Sequence, residues 1–258
     1  MITDHLSFFT RINIGKRGDL ERIANTQYLF PLIGFFIGFS LYFVYLFLDV
    51  LGTPFELKSI YLILFLYYFT GILHLDGLSD LFDGLAKSGS SKEKYEVMKD
   101  SSLGMGGTTA AFILIFLLFS SLITIFRHQI NLTSIYGVVS IPKIELFLCF
   151  VLVEVTAKFS MNTLIVISDP INEGLGSYFI DKMQVKHYIY SIIITFIIIG
   201  FLNPYMYLVV ILSQLSPIII YKLSKRYFNG INGDIMGATN EITRVFSLNL
   251  FIWIFVLS

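Results

Sequence analysis

Three aspartates, Asp76, Asp80 and Asp83, stand at i, i+4 and i+7 in the stretch His74-Leu-Asp-Gly-Leu-Ser-Asp-Leu-Phe-Asp-Gly84. On a helix they share one face, within reach of a common ion. Carboxylates that close repel one another unless protons or divalent cations neutralise them. An oxygen-only ligand set with no thiolate suits a hard ion such as Mg²⁺. Asp100 follows a short polar helical stretch and adds a fourth carboxylate, just before Leu103-Gly-Met-Gly-Gly107. Gly104, Gly106 and Gly107 would let backbone N–H groups approach a phosphate at the start of the next helix. The competing reading is a solvated loop in which Ser101 or Ser102 only caps a helix. Spacing alone does not name a reaction.

A second constellation lies in Tyr227-Phe-Asn-Gly-Ile-Asn-Gly-Asp-Ile-Met-Gly-Ala-Thr-Asn-Glu241, again glycine-rich and again with carboxylates at i and i+7, Asp234 and Glu241. Gly237 and Ala238 are small enough to let helices approach closely or to leave room for a ligand. Alternatively, Gly230 and Gly233 are turn residues, Asp234 a helix cap and Glu241 a side chain reaching the interface. His74 would either hydrogen-bond an aspartate or sit satisfied at the interface.

The elements that must position these groups are membrane helices. The 258 residues are 55% hydrophobic and only 14% charged, with a mean hydropathy of +0.77, which is the composition of a membrane protein. Eighteen Lys and Arg balance eighteen Asp and Glu, leaving no excess charge for nucleic acid. The lone Cys149 excludes an intrachain disulfide framework. The run Tyr28 to Leu48 would reach about 31 Å as a helix, enough to span. Ile60 to Leu73 is short, Thr108 to Phe126 clear, and Ile141 to Ile167 long but interrupted by Glu145, Glu154 and Lys158. Such charges should face the bundle interior, and Glu154 and Lys158 at i,i+4 suit a pair. Tyr188 to Phe201 and Tyr205 to Tyr221 form a hairpin turning at Asn203-Pro204, with Pro217 a kink. The last run, Val245 to Ser258, spans only if its helix starts near Asp234.

The pattern predicts an all-α bundle of about seven transmembrane helices forming one domain over 1–258, with active-site loops at about 74–107 and 222–244. A cytoplasmic N-terminus places fifteen cations on one side: Arg11, Lys16, Arg17, Arg22, Lys87, Lys92, Lys94, Lys99, Lys158, Lys182, Lys186, Lys222, Lys225, Arg226 and Arg244. Opposite lie Lys58, Arg127 and Lys143. That bias is the one expected of cytoplasmic loops, and it puts the aspartates on the cytoplasmic face of the cell membrane.

The segments His74 to Gly84, Lys99-Asp-Ser-Ser-Leu-Gly104 and Gly230 to Ala238 resemble the signature segments of the cobalamin synthase family, the adenosylcobinamide-GDP ribazoletransferases. Phe8-Phe-Thr-Arg11 resembles the family's opening, Phe30-Pro-Leu-Ile-Gly34 its first span and Glu173-Gly-Leu-Gly176 its glycine pair. Lys158 stands where the family usually carries Arg; it keeps the charge but not the bidentate phosphate contact. The resemblance implies a membrane enzyme that joins adenosylcobinamide-GDP to α-ribazole, or its 5′-phosphate, releases GMP and requires Mg²⁺. It assigns Asp76, Asp80 and Asp100 to metal, and Asp83 either to metal or to the base that takes the hydroxyl proton. Asp234 and Glu241 would close the site, Lys99 and Lys158 contact pyrophosphate, and Gly104, Gly106 and Gly107 give backbone approach. A CDP-alcohol phosphotransferase shares this chemistry but places Ala-Arg after its first Asp-Gly, where this chain has Leu-Ser. A secondary transporter would carry its charges near the midplane of repeated halves. The oligomeric state, a homo-oligomer included, stays open.

Overall fold

The computed structural model describes residues 1–12, 18–100, 102–128 and 142–256. Lys16, Arg17, Ser101, Ile141 and Ser258 lie outside the described residues, as does the side chain of Lys143. Every regular element described is helical: α1 (Ile2–Phe9), α2 (Leu20–Asn25), α3 (Phe30–Val50), α4 (Phe55–Thr70), α5 (Leu73–Ala86), α6 (Ser91–Lys99), α7 (Met105–Arg127), α8 (Pro142–Ile167), α9 (Leu175–Lys182), α10 (Val185–Leu202), α11 (Tyr207–Ser213), α12 (Leu215–Phe228) and α13 (Gly233–Phe255).

Length and apolarity identify four stretches able to cross a membrane: Gln27–Val50, Met105–Arg127, Val185–Leu202 and Pro204–Phe228. The pair α4 and α5 passes the same test only together, and it bends by 93°. Among the described residues the count is therefore four, or five with the bent pair, against an expectation of about seven. The other two expected spans form as helices of 26 and 23 residues, α8 and α13. Their ionisable residues, Glu154 and Lys158 on α8 and Glu241 and Arg244 on α13, lower their apolarity and are all buried among neighbouring helices.

Local chemistry sets the joints. α4 ends at Gly71, whose φ of +74° an L side chain rarely adopts. The chain then turns, so the α4–α5 pair bends by 93° at this joint. α6 starts with a capping box, Ser90 Oγ accepting from the Glu93 N–H at 3.3 Å while Glu93 accepts from the Ser90 N–H at 2.7 Å. The break between α11 and α12 falls at Gln214, three residues before Pro217. Pro217 has no N–H for the Ser213 carbonyl, which accepts the Ser216 hydroxyl at 2.9 Å instead.

α13 lies at the centre, packed against α5, α7, α8 and α12. Its apolar core, Val245, Leu248, Phe251, Ile252 and Phe255, is buried on all sides. α3 meets α8 at Gly34 and Gly38, where a Cβ would collide with the backbone at Glu154 and Phe150. This small-x-x-x-small spacing lets two membrane helices touch backbone to backbone.

The pairing expected between Glu154 and Lys158 does not form. Glu154 instead takes a two-pronged ion pair from Arg244, Nε to Oε1 at 2.6 Å and Nη2 to Oε2 at 3.1 Å. Arg244 also bonds Glu241, which accepts from the Tyr67 hydroxyl at 2.9 Å. Lys158 donates to Asn240 Oδ1 at 2.9 Å and rests over the Phe9 ring. The planar guanidinium of Arg244 satisfies two carboxylates at once, which the point charge of Lys158 does not. Lys158 and Arg244 are thus bundle residues and not loop cations, leaving thirteen of the fifteen cations for the charge-bias argument. On the sparse side, Lys58 is also buried, paired with Asp49 at 2.6 Å.

Candidate active site at the crossing of two helices

The aspartate helix predicted from the i, i+4, i+7 spacing forms as α5, and the N-terminus of α13 crosses it. Close approach at two glycines makes the crossing. A Cβ on Gly77 would stand 2.5 Å from the Asp234 carbonyl oxygen, and one on Gly237 3.0 Å from the His74 Cα. Neither contact leaves room for a methyl group. The result brings Asp234 beside the Asp76 and Asp80 turn of α5, joining the two sequence constellations.

Three carboxylates then share one electrostatic neighbourhood. Asp80 is half-buried, and its carboxyl is pushed up from the ordinary value to about 6, first by burial and then by the charges of Asp234 and Asp76. Lys99 answers them. Its Nζ sits 2.7 Å from Asp234 Oδ2. Burial works against the Lys99 charge, but the hydrogen bond and charge of Asp234 outweigh it and hold the ammonium above its usual range. Asn232 Nδ2 donates to the same Asp234 oxygen at 2.7 Å, while its Oδ1 caps α13 through the Ile235 N–H at 3.0 Å. One side chain therefore fixes both the helix start and the carboxylate.

The remaining predicted residues are used elsewhere. Asp83 is buried with its two oxygens accepting from the Gly104 and Gly107 N–H groups, each at 2.8 Å, so it caps the N-terminus of α7. Those glycines turn their amides to a protein carboxylate and not outward, and any Cβ on Gly104, Gly106 or Gly107 would strike α5. Asp100 is exposed at the end of α6, where the Ser102 N–H, 3.0 Å away, holds its carboxyl below the ordinary range. Glu241 and Lys158 lie in the buried charge network of the bundle. Of the four carboxylates read from the 74–107 segment, Asp76 and Asp80 lie near Asp234, while Asp83 and Asp100 take backbone partners of their own. Asp83 shares the face of Asp76 but lies two turns further along α5, where the Gly104 and Gly107 amides of α7 take both its oxygens.

A cavity of about 610 Å³ opens beside this cluster, within the range of small-molecule sites. Its lining combines Asp76, Asp234, Lys99 and His74 with the loop Glu173, Gly174, Leu175 and Gly176 and with the apolar Phe8, Phe30 and Phe179. A pair of backbone bonds holds the glycine loop there: Ile171 N–H to the Ile231 carbonyl at 3.0 Å and Ile231 N–H to the Asp169 carbonyl at 2.9 Å. Asn232 and Tyr95, both lining the cavity, escaped the sequence reading. An Asn two residues before an acidic helix start is the signal that marks the first; Tyr95 carries none.

Among the described residues, no three His, Cys, Asp or Glu side chains are already gathered as a metal-holding group. Lys99 and Asn232 occupy Asp234, so the ammonium supplies the positive charge that the cluster requires. The donor chemistry nevertheless fits a hard cation: three carboxylates from two helices, one of them driven towards protonation by the other two.

Fold and site together define a helical membrane protein with a cavity lined by acidic residues and Lys99. A sequence profile of the family described as cobalamin-5-phosphate synthase matches residues 2–252. The chain belongs to this family, and not to the CDP-alcohol phosphotransferases or the transporters weighed as alternatives. The adenosylcobinamide-GDP ribazoletransferase of Thermococcus kodakarensis is 32% identical over 247 residues, 94% of each chain. The enzymes of the same name from Methanocella arvoryzae and Pyrococcus furiosus are 33% and 30% identical; the matches cover 90% and 93% of this chain, and 87% and 93% of theirs. No solved structure matches this chain.

The crossing is sensitive to one methyl group. Gly77→Ala should force α5 and α13 apart at Asp234 and lower kcat by about 100-fold, the cost of misplacing reacting groups by about 1 Å. Steady-state kinetics beside a thermal melt would check it; unchanged kcat would mean that the crossing does not set the site.

Proposed function

We propose that this chain is an adenosylcobinamide-GDP ribazoletransferase that joins adenosylcobinamide-GDP to α-ribazole or its 5′-phosphate, releasing GMP, with Mg²⁺ as cofactor. The relatives' names supply the substrates. The observation that carries the chemistry is the cavity lined by Asp76, Asp234, Lys99 and a glycine loop.

In this reaction the acceptor hydroxyl oxygen forms a bond to the corrinoid-side phosphorus, and the bond from that phosphorus to the bridging oxygen breaks. GMP departs with the bridging oxygen. The three aspartates would hold Mg²⁺, which when bound neutralises charge on the phosphate oxygens and orients the in-line groups. Lys99, which pairs with Asp234 at 2.7 Å, would carry its charge towards the pyrophosphate of the donor. Asp80, pushed up to about 6 by burial and by the charges of Asp234 and Asp76, would take the hydroxyl proton on the carboxylate oxygen that the cation leaves free. The aromatic lining excludes water that would otherwise hydrolyse the donor. A cytoplasmic active-site face, supported by the distribution of surface Lys and Arg, gives soluble substrates access.

The test is mass spectrometry of products after incubating detergent-purified protein with adenosylcobinamide-GDP, α-ribazole and Mg²⁺, alongside an EDTA control. GMP and adenosylcobalamin formed only with the metal is the expected result. Folded protein that yields neither product with α-ribazole or its phosphate would overturn the assignment. Protons compete with the cation for Asp80, so the Mg²⁺ concentration for half-maximal rate should rise as pH falls through about 6. Assays at fixed ionic strength between pH 5 and 8 would measure it.

A further inference from the structure

Arg11 closes the N-terminal motif Phe8-Phe-Thr-Arg11, and the active site does not use it. Its backbone N–H donates to the Phe69 carbonyl at 2.7 Å, near the end of α4 from which α5 departs. The guanidinium stacks over the Tyr68 ring, 5.4 Å from the centroid. Arg11 is exposed, and among the described residues no carboxylate pairs with it. An unpaired guanidinium fixed on an aromatic face is a ready anion site.

Beside it runs a second cavity of about 650 Å³ between α4 and α7. Apart from Arg11 and the Tyr67 and Tyr68 rings, its walls are apolar: Ile60, Ile63, Leu64 and Ile72 face Phe112 and Phe116, among others. The α4 residues from Ile60 to Tyr68 extend about 12 Å along the helix. Several of these side chains, including Leu64, Tyr68, Phe112 and Phe116, are exposed on the outer face of the bundle. A long apolar channel headed by one unpaired cation matches an amphiphile with a hydrocarbon tail and an anionic head.

We propose that this groove binds an anionic phospholipid, its phosphate on Arg11 and the upper part of one acyl chain along Leu64, Phe112 and Phe116. The charge argues for an anionic head over a zwitterionic one, whose ammonium would meet the guanidinium with like charge. Occupation also bears on the active site. Arg11 lies three residues after Phe8, and Ser7 and Phe8 line the catalytic cavity. A lipid holding Arg11 against α4 would fix the helix that forms part of the cavity lining. This couples the cavity to the charge of the surrounding leaflet.

Native mass spectrometry of the full chain titrated with phosphatidylglycerol or with phosphatidylcholine tests the site without using enzymatic activity. The wild type should retain phosphatidylglycerol about fivefold more tightly, the preference expected of one cation at a membrane surface. Arg11→Gln should reduce that ratio to about one, and Arg11→Lys should keep most of it. If Arg11→Gln does not fold, Leu64→Trp is the second variant: by narrowing the groove it should release the tightly held lipid while Arg11 remains. Equal retention of the two lipids by the wild type, or a ratio unchanged in Arg11→Gln and Leu64→Trp, would overturn the proposal.

Discussion

Asp80→Asn should abolish turnover, lowering kcat by about 10³-fold, while making the metal-free protein more stable. The two effects share a cause. The Asp80 carboxyl is pushed up to about 6 in the folded chain by burial and by Asp234 and Asp76. A folded-state value above that of the unfolded chain means that ionising the group costs stability. The cost is absent below the ordinary aspartate value, grows as pH rises towards about 6 and is complete above it. Asn removes the charge and keeps the shape. In EDTA at pH 8 the variant should therefore melt above the wild type, and at pH 4 the difference should shrink. Added Mg²⁺ should raise the wild-type melting point by mass action and leave the variant nearly unmoved. Differential scanning fluorimetry at both pH values, read beside product formation, makes the prediction specific. An active variant sinks the role of Asp80, and a variant that melts lower at pH 8 in EDTA sinks the electrostatic account of the cluster.

The aspartates were legible as a site because helical period is local: i, i+4 and i+7 on α5 follow from backbone geometry alone. The partner of that face was not. Asp234 lies far along the chain, and only the close approach at Gly77 and Gly237 joins it to Asp76 and Asp80. Sequence shows the glycines without showing what they touch. Asp83 illustrates the converse. Its spacing fits the acidic face, yet it meets the amides of Gly104 and Gly107, so a glycine turn expected to receive phosphate receives a side chain. Membrane helices were legible wherever they face lipid, as in Met105–Arg127 and Val185–Leu202. The interior helices α8 and α13 read as broken by charge because bundle packing, not hydropathy, satisfies their ionisable groups. Glu154 was given the cation nearest in sequence, Lys158, whereas the structure gives it Arg244 on a helix that sequence separation cannot place.

Arg244→Met should be among the most destabilising single changes in the chain. The guanidinium is 1% exposed and bonds Glu154 and Glu241, themselves buried, so its removal strands two carboxylates in the bundle interior. Breaking a buried ion pair from one side costs about 3–5 kcal/mol, or roughly 10 °C in melting temperature for a chain of this size. Tyr67 and Asn240 still donate to Glu241, at 2.9 and 3.1 Å, but neither carries a charge. Removing all three charges should behave differently. In Glu154→Gln, Glu241→Gln, Arg244→Met no carboxylate is left stranded, Lys158 keeps its bond to Asn240 at 2.9 Å, and replacing buried ionic groups together by neutral ones is often close to neutral. The triple variant should recover most of the lost melting temperature, giving strong positive coupling among the three sites. Arg244 contacts none of the cavity lining residues through its ion pairs, so the triple variant should also regain most of the turnover. Melting curves of the single and triple variants in one detergent decide it: if Arg244→Met is as stable as the wild type, the buried network does not hold α8 to α13, and if the triple variant melts as low as the single one, the loss comes from packing and not from stranded charge.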